Sequence, residues 1–210
     1  MPCHPCDRDT NYVVMSSVVS TQIPHAVGIA MAMKIKGADQ VCIGFMGDGG
    51  TSEGDFHVAL TFAGVSKAPA VLVCQNNQWA ISTPGKDQCA ADTLALKGLG
   101  YGLESLRADG NDVFAVNTVA RTAIDRARSG KGPTLIEAET YRFKGHTVHD
   151  MAPYRAKKEL EAWLKKDPIE RFKGLMKSKK LLTMKEMTEI DEAVAREVEN
   201  SLEFAEASPY

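Results

Sequence analysis

Two short apolar runs, each cut off by a polar turn, constrain the fold of this chain more than any other feature. Val41 to Met46 stops at Gly47-Asp48-Gly49-Gly50, and Ala70 to Cys74 stops at Gln75-Asn76-Asn77. Runs of this length without polar alternation suit strands covered on both faces, the pattern of a parallel sheet. A helical stretch from about Gln22 to Lys36 precedes the first run. A second, from near Ser52 to about Gly64, lies between the two, with Glu53 and Asp55 as acids suited to a helix N-terminus. A third unit follows: Gly102 to Arg107 is strand-like, Asp109-Gly110-Asn111-Asp112 is a turn with Asp112 as N-cap, and a helix runs to about Ser129. Thr134 to Arg142 supplies another strand. The alternation predicts an α/β architecture, a parallel sheet with helices on both faces.

Charged residues crowd into 156–207, so the C-terminal part is expected to be a different structure, a helical extension (156–210) after an α/β domain (1–155). Leu160, Trp163 and Leu164 share one helical face, and Ile169, Phe172, Leu175 and Met176 follow the Asp167-Pro168 break. Thr183 and Glu186 have the spacing of a capping box ahead of Met187, Ile190, Val194 and Val198. The charge run reads as a solvated face, and the apolar stripe as a surface that could dock on a partner.

Composition excludes several classes. A net charge of −2 carries no basic excess for nucleic acid. Hydrophobic content of 44% with a mean hydropathy of −0.21 fits a globular protein. The apolar stretch around Val13 to Met33 is interrupted by Ser16, Ser17, Ser20, Thr21, Gln22, Pro24 and His25, so no membrane span is expected. The first residues lack a basic segment followed by an apolar one, which makes the cytoplasm the expected compartment, or the mitochondrial matrix in a eukaryote. Cys3-His4-Pro5-Cys6 has the spacing of half a zinc site, but no second pair completes four ligands. Cys42 and Cys74 fall inside apolar runs and read as small hydrophobes.

In a parallel sheet, ligands bind where strand carboxyl ends meet helix starts. Asp48 and Asn77 both fall there, 29 residues apart, which is the length of one crossover and the next strand. A right-handed crossover returns Asn77 to the edge that carries Asp48. A carboxylate and an amide oxygen are hard ligands, and Mg²⁺ commonly takes a few such oxygens together with phosphates. Gly47, Gly49 and Gly50 let the backbone approach a diphosphate, towards which the helix near Ser52 would point its free N–H groups. Each turn alone reads as a plain loop; the pair at this spacing points to a site.

GDG followed by NN after such an interval resembles the fingerprint of thiamine-diphosphate enzymes. The segments GDGGTSEGDFHVALTFAG, CQNNQWAISTP, ADGNDVFAV, GPTLIEAETYR and GHT are similar to the alpha subunit of the thiamine-dependent, decarboxylating component of 2-oxo acid dehydrogenase complexes. MPCH and SSVVSTQIPHAVG resemble the branched-chain form, whereas GDGGTSEGDF and CQNNQWAIS also occur in forms acting on pyruvate. The resemblance covers nearly the whole chain. It implies the thiamine diphosphate-binding fold, with Mg²⁺ held by the side chains of Asp48 and Asn77 and the carbonyl of Trp79. Gly49 and Gly50 would contact the diphosphate. Ser16, the Val18 carbonyl, Thr21 and Gln22 match a potassium-binding segment, and Ser17 and Val19 match the stretch that supports the aminopyrimidine. Without the family, that segment reads as a helix cap.

His146, which alone reads as a loop bystander, matches the family's active-site histidine. Arg142, Asp150, Tyr154 and Arg155 match the polar network that orders the loop Lys144 to Arg155, a regulatory phosphorylation loop in animal enzymes. Here the run His149-Asp150-Met151-Ala152-Pro153 departs from the usual serines and aspartates. His25 and His57 lie in helical segments and read as structural. The implied reaction is oxidative decarboxylation of a branched-chain 2-oxo acid of the 3-methyl-2-oxobutanoate type, or of pyruvate, with transfer of the acyl group to a lipoyl group. The implied partners are a beta subunit, in an alpha–beta heterotetramer, and a lipoyl-bearing dihydrolipoyl acyltransferase. The resemblance implies that the beta subunit would supply the glutamate that activates the cofactor; Glu53 reads instead as a helix N-terminal acid. Family members carry a longer segment ahead of the position of Met1, so the chain is expected to be an N-terminally shortened alpha subunit. A noncatalytic cofactor-binding or assembly partner, or an enzyme split between two chains, are the alternatives.

Overall fold

Four parallel strands in the order β1-β2-β6-β5 form the sheet in the computed structural model of the chain, which describes residues 5–209. They are β1 (Cys42–Gly47), β2 (Ala70–Asn76), β5 (Glu104–Asp109) and β6 (Thr134–Glu139), and a small antiparallel pair, β3 (Trp79–Ala80) and β4 (Thr83–Pro84), follows β2. Leu72 lies opposite both Gly44 and Leu135, and Cys74 opposite both Met46 and Glu137. Because strand side chains alternate, Leu72, Cys74 and Leu135 share one face, where they meet α1 (Gln22–Ile35) and α2 (Gly54–Ser66) through Ile23, Ala26, Phe56 and Leu60. Val71 and Ile136 point the other way, onto Ala123 of α4 (Val113–Arg128). Helices thus cover both faces of β2 and β6, and the predicted α/β class is the one observed. At the β1 edge the α4 side stays open, with Ile43 and Phe45 exposed.

Three boundaries differ from the sequence reading. The helix expected from Ser52 begins at Gly54, because Asp48–Ser52 first close into a 3-10 turn, with the Thr51 hydroxyl donating to the Asp48 carbonyl at 2.8 Å. The strand expected to reach Arg142 ends at Glu139, where its pairing with β2 ends at Asn76. The third strand begins at Glu104, after Gly102 turns the chain at φ +76°. A short helix, α3 (Leu96–Leu99), has no counterpart in the sequence reading.

The described residues fall into two compact units, 5–165 and 166–209. The first holds the sheet and α5 (Lys157–Leu164), whose Trp163 stacks on Tyr141 at 5.4 Å between ring centroids. The second holds α6 (Pro168–Ser178) and α7 (Met184–Ala207), tied by Lys173 to Asp191 at 2.7 Å. Asp167 caps α6, and Thr183 with Glu186 forms the expected capping box on α7. Ile190, Val194, Val198 and Leu202 of α7 are exposed. Among the described residues no helix is long and apolar enough to cross a membrane.

Candidate functional site

The parallel pairing of β1 with β2 sets Gly47 opposite Gln75, so both chains leave the sheet at the same edge and deliver Asp48 and Asn77 to neighbouring turns. Asp48 is 2% exposed. Its Oδ2 accepts from Gln88 Nε2 at 2.9 Å, while Oδ1 is buried with no hydrogen-bond partner. A buried carboxylate oxygen without a donor costs on the order of 1–3 kcal/mol or more, and a bound cation is the simplest group that would offset it. Among the described residues no cluster of three or more histidines, cysteines or acidic residues gathers around a metal position. The hard-oxygen set at this edge fits Mg²⁺ completed by phosphate oxygens, not a thiolate or imidazole cage.

The turn after Asp48 is sandwiched. A Cβ on Gly49 would meet the Ala80 Cβ at 2.8 Å, and one on Gly50 would lie 3.4 Å from the Met46 Cβ and 3.8 Å from Ser20. Glycine therefore lets the β3 backbone close over the turn, and a side chain here would fill the approach to the main chain. Asn77 is half-buried; its Oδ1 accepts from the Trp79 N–H at 3.1 Å. The Trp79 carbonyl accepts from Arg142 Nη1 at 3.0 Å. Each of these two oxygens keeps a second lone pair for a metal.

The segment 16–22 lies on the other side of the turn. Ser20 is fully buried in the left-handed region, φ +71°, beside Gly50. Ser16 Oγ accepts from the Val18 N–H at 3.2 Å, and the Val18 carbonyl from the Thr21 N–H at 3.3 Å. Gln22 donates to the Phe45 carbonyl at 3.0 Å and leaves its own Oε1 buried without a partner. Ser17 and Val19 are exposed. The structure thus brings 16–22, 48–50 and 77–80 together. Cys3 and His4 of the Cys-His-Pro-Cys segment lie outside the described residues; Cys6 is exposed.

His146 sits on the loop that follows β6, with its side chain exposed. No contact brings its ring to Asp48 or Asn77, but the loop is anchored to the site. Arg142 donates to Trp79 and to the Ile81 carbonyl at 2.6 Å, and Arg155 donates to the carbonyls of Arg142 and Lys144. Asp150 accepts from the His146 N–H at 2.7 Å and from the Tyr154 hydroxyl at 2.5 Å. The Tyr154 bond, with the His146 and Ala152 amides, holds the Asp150 carboxyl at about 2. His57 pairs with the Tyr101 hydroxyl at 2.6 Å. Glu53 occupies the N-cap position of α2 without a side-chain bond.

Asp48 also borders a cavity of about 440 Å³ lined by Asn76, Gln88, Arg107 and Glu137. Glu137 is 1% exposed and escaped the sequence reading. Its signal was a carboxylate set between Ile136 and Ala138, inside the apolar stretch of β6; Gln88 carries no such signal. Asp48 and Glu137 flank Cys74, whose thiol is pushed up by burial first and by the two carboxylates next.

A family model described as the dehydrogenase E1 component matches residues 2–210. The chain is 40% identical over 208 residues to 2-oxoisovalerate dehydrogenase subunit alpha 2, mitochondrial, of Arabidopsis thaliana, covering 98% of this chain and 44% of that protein. It is 49% identical over 168 residues to 3-methyl-2-oxobutanoate dehydrogenase subunit alpha of Mycobacterium tuberculosis (strain ATCC 25618 / H37Rv), covering 80% and 46%. It is 43% identical over 192 residues to pyruvate dehydrogenase E1 component subunit alpha of Acholeplasma laidlawii, covering 90% and 56%. The chain spans about half the length of the curated relatives it matches.

Proposed function

The chain belongs to the dehydrogenase E1 component family, and from that premise we propose that it acts in the oxidative decarboxylation of a 2-oxo acid, as alpha-subunit chain of a thiamine diphosphate enzyme. The match along residues 2–210 carries this reading, and the buried, half-satisfied carboxylate of Asp48 supports it from the geometry. A branched-chain substrate of the 3-methyl-2-oxobutanoate type is preferred on the names of the Arabidopsis and Mycobacterium relatives, and pyruvate is the second reading on the Acholeplasma one. The partners would be a beta subunit, completing an alpha–beta heterotetramer, and a lipoyl-bearing acyltransferase.

Thiamine diphosphate, when bound, supplies the electron sink that decarboxylation of a 2-oxo acid needs. Asp48, Asn77 and the Trp79 carbonyl would hold Mg²⁺, for which the unpartnered Asp48 Oδ1 is the fit. Gly49 and Gly50 would admit the diphosphate to the main chain, while Ser17 and Val19 would support the aminopyrimidine. Ser16, Val18, Thr21 and Gln22 would hold K⁺, with the orphaned Gln22 Oε1 as donor oxygen. His146 would offer its imidazole to the reacting groups from a loop fixed by Arg142, Asp150, Tyr154 and Arg155. That loop would also exclude water from the site.

Calorimetry of thiamine diphosphate with and without Mg²⁺ tests the site: Asp48→Ala is expected to abolish the Mg²⁺-dependent binding, and an unchanged affinity overturns the assignment. Turnover needs the beta subunit. The chain alone is expected to show none, and the reconstituted assembly should prefer 3-methyl-2-oxobutanoate over pyruvate; the opposite preference selects the second reading.

A further inference from the structure

Among the described residues the buried acidic side chains are Asp48 and Glu137. Asp48 leaves one oxygen free for the proposed metal; both oxygens of Glu137 are already taken by protein donors, and its burial calls for another reason, because an apolar side chain would fill the same strand position at less cost. An ion pair is a poor one. Arg107 Nε stands 3.9 Å from Glu137 Oε1, and the close bond of that guanidinium goes to Glu139 at 2.7 Å. The close donors to Glu137 are instead a strand end and a loop: the Asn76 side-chain amide at the end of β2 reaches Oε1 at 2.8 Å, and the Ala95 N–H reaches Oε2 at 2.8 Å. Both segments border Asp48: Asn76 lines the same cavity, and Gln88 from the loop before Ala95 donates to Asp48 Oδ2.

The Asn76 bond has a directional consequence. With Nδ2 turned to the carboxylate, Oδ1 faces the Gln78 N–H at 3.2 Å, and Gln78 Nε2 returns to the Asn76 carbonyl at 3.3 Å. Gln78 has φ +74°, a left-handed conformation that costs free energy in a residue with a side chain and persists where surrounding bonds hold it. That turn carries Asn77 and Trp79, two of the three proposed metal-binding positions. An ionised carboxylate accepts at both oxygens, so Glu137 can fix the Asn76 amide and Ala95 at once, which a carboxamide in its place cannot do with Asn76 unflipped.

We propose that Glu137 is a positioning residue for the metal loop: by accepting from the Asn76 amide and from Ala95, it locks the Asn76–Gln78 turn in the form that presents Asn77 and the Trp79 carbonyl to Mg²⁺. The proposal rests on the Mg²⁺–thiamine diphosphate reading of the site above. Residues that orient metal ligands typically contribute 10–100-fold to metal affinity when removed.

The test is a Mg²⁺ titration of thiamine diphosphate binding to the full chain by calorimetry, with hydrogen exchange at the Gln78 and Ala95 amides as a second readout. Glu137→Gln is expected to raise half-saturating Mg²⁺ about 10–100-fold and to speed exchange at these amides. Combining it with Asn76→Asp exchanges donor for acceptor: the new carboxamide can donate to the new carboxylate and still accept from Ala95. The double variant should return to within a few-fold of the wild type. If Glu137→Gln does not fold, recovery of folded, Mg²⁺-responsive protein in the double variant still supports the proposal. A double variant no better than the single one overturns it. So does a Glu137→Gln chain that is less heat-stable yet titrates with Mg²⁺ as the wild type does, while Asp48→Ala abolishes binding; that outcome leaves the metal reading standing. A wild-type chain with no Mg²⁺ dependence removes both.

Discussion

At the scale of single residues, the site is defined by what its side chains leave unsatisfied and by what they cannot accommodate. Gly49→Ala places a methyl against Ala80, an overpacking expected to cost about 1–3 kcal/mol and to weaken cofactor binding; urea unfolding with parallel calorimetry checks both. Asp150 gives a pH prediction. Its folded value of about 2 lies below the 3.8 of a free carboxyl, so its contribution to loop order is fully present above pH 3.8 and is lost as pH falls through about 2. The Asp150 carboxyl resonance should therefore titrate near 2; a midpoint close to 3.8 would mean that the Tyr154 and His146 bonds do not form in solution. Asp48 and Asn77 were legible in the sequence because both follow apolar runs at a spacing that only a crossover explains. Glu137 and Gln88 were not, because their roles depend on which loop folds back over the sheet edge, and that is decided by tertiary contacts.

Elements show the same division. The long ones follow from local chemistry: continuous apolar runs gave β1, β2 and the core of β6, and side-chain caps marked α4 and α7. Asp112 accepts from the amides of Phe114 and Ala115, and Thr183 from that of Glu186. Replacing Thr183 by Ala should lower stability by about 1 kcal/mol, seen as a lower denaturation midpoint with unchanged slope, and Asp112→Ala should do likewise. The short elements were illegible. The 3-10 turn after β1, the two-residue strands β3 and β4, and α3 are each too brief to carry a period, and they are held by contacts from distant sequence such as Arg142 on Trp79 and Glu137 on Ala95. These are also the pieces that shape the site, since loops placed by a rigid scaffold are where binding groups gather.

For the molecule as a whole, the sheet is a frame on which one edge gathers groups from five separate stretches of chain: 16–22, 48–50, 76–80, 88–95 and 142–155. Affinity for the proposed ligand and global stability would be coupled there, because separating those stretches by unfolding dismantles the site. The unpartnered oxygen of Asp48 makes this coupling measurable. A cation that binds the folded chain and ignores the unfolded one shifts the unfolding equilibrium by mass action, by about 2.7 kcal/mol at a hundred times its dissociation constant. The unfolding midpoint should thus climb with the logarithm of Mg²⁺ in the presence of thiamine diphosphate, and stay flat in Asp48→Ala. If that oxygen is the cation's seat, the fold would reach its full stability only once its ligand arrives, and abundance of the protein in a cell would follow the supply of cofactor.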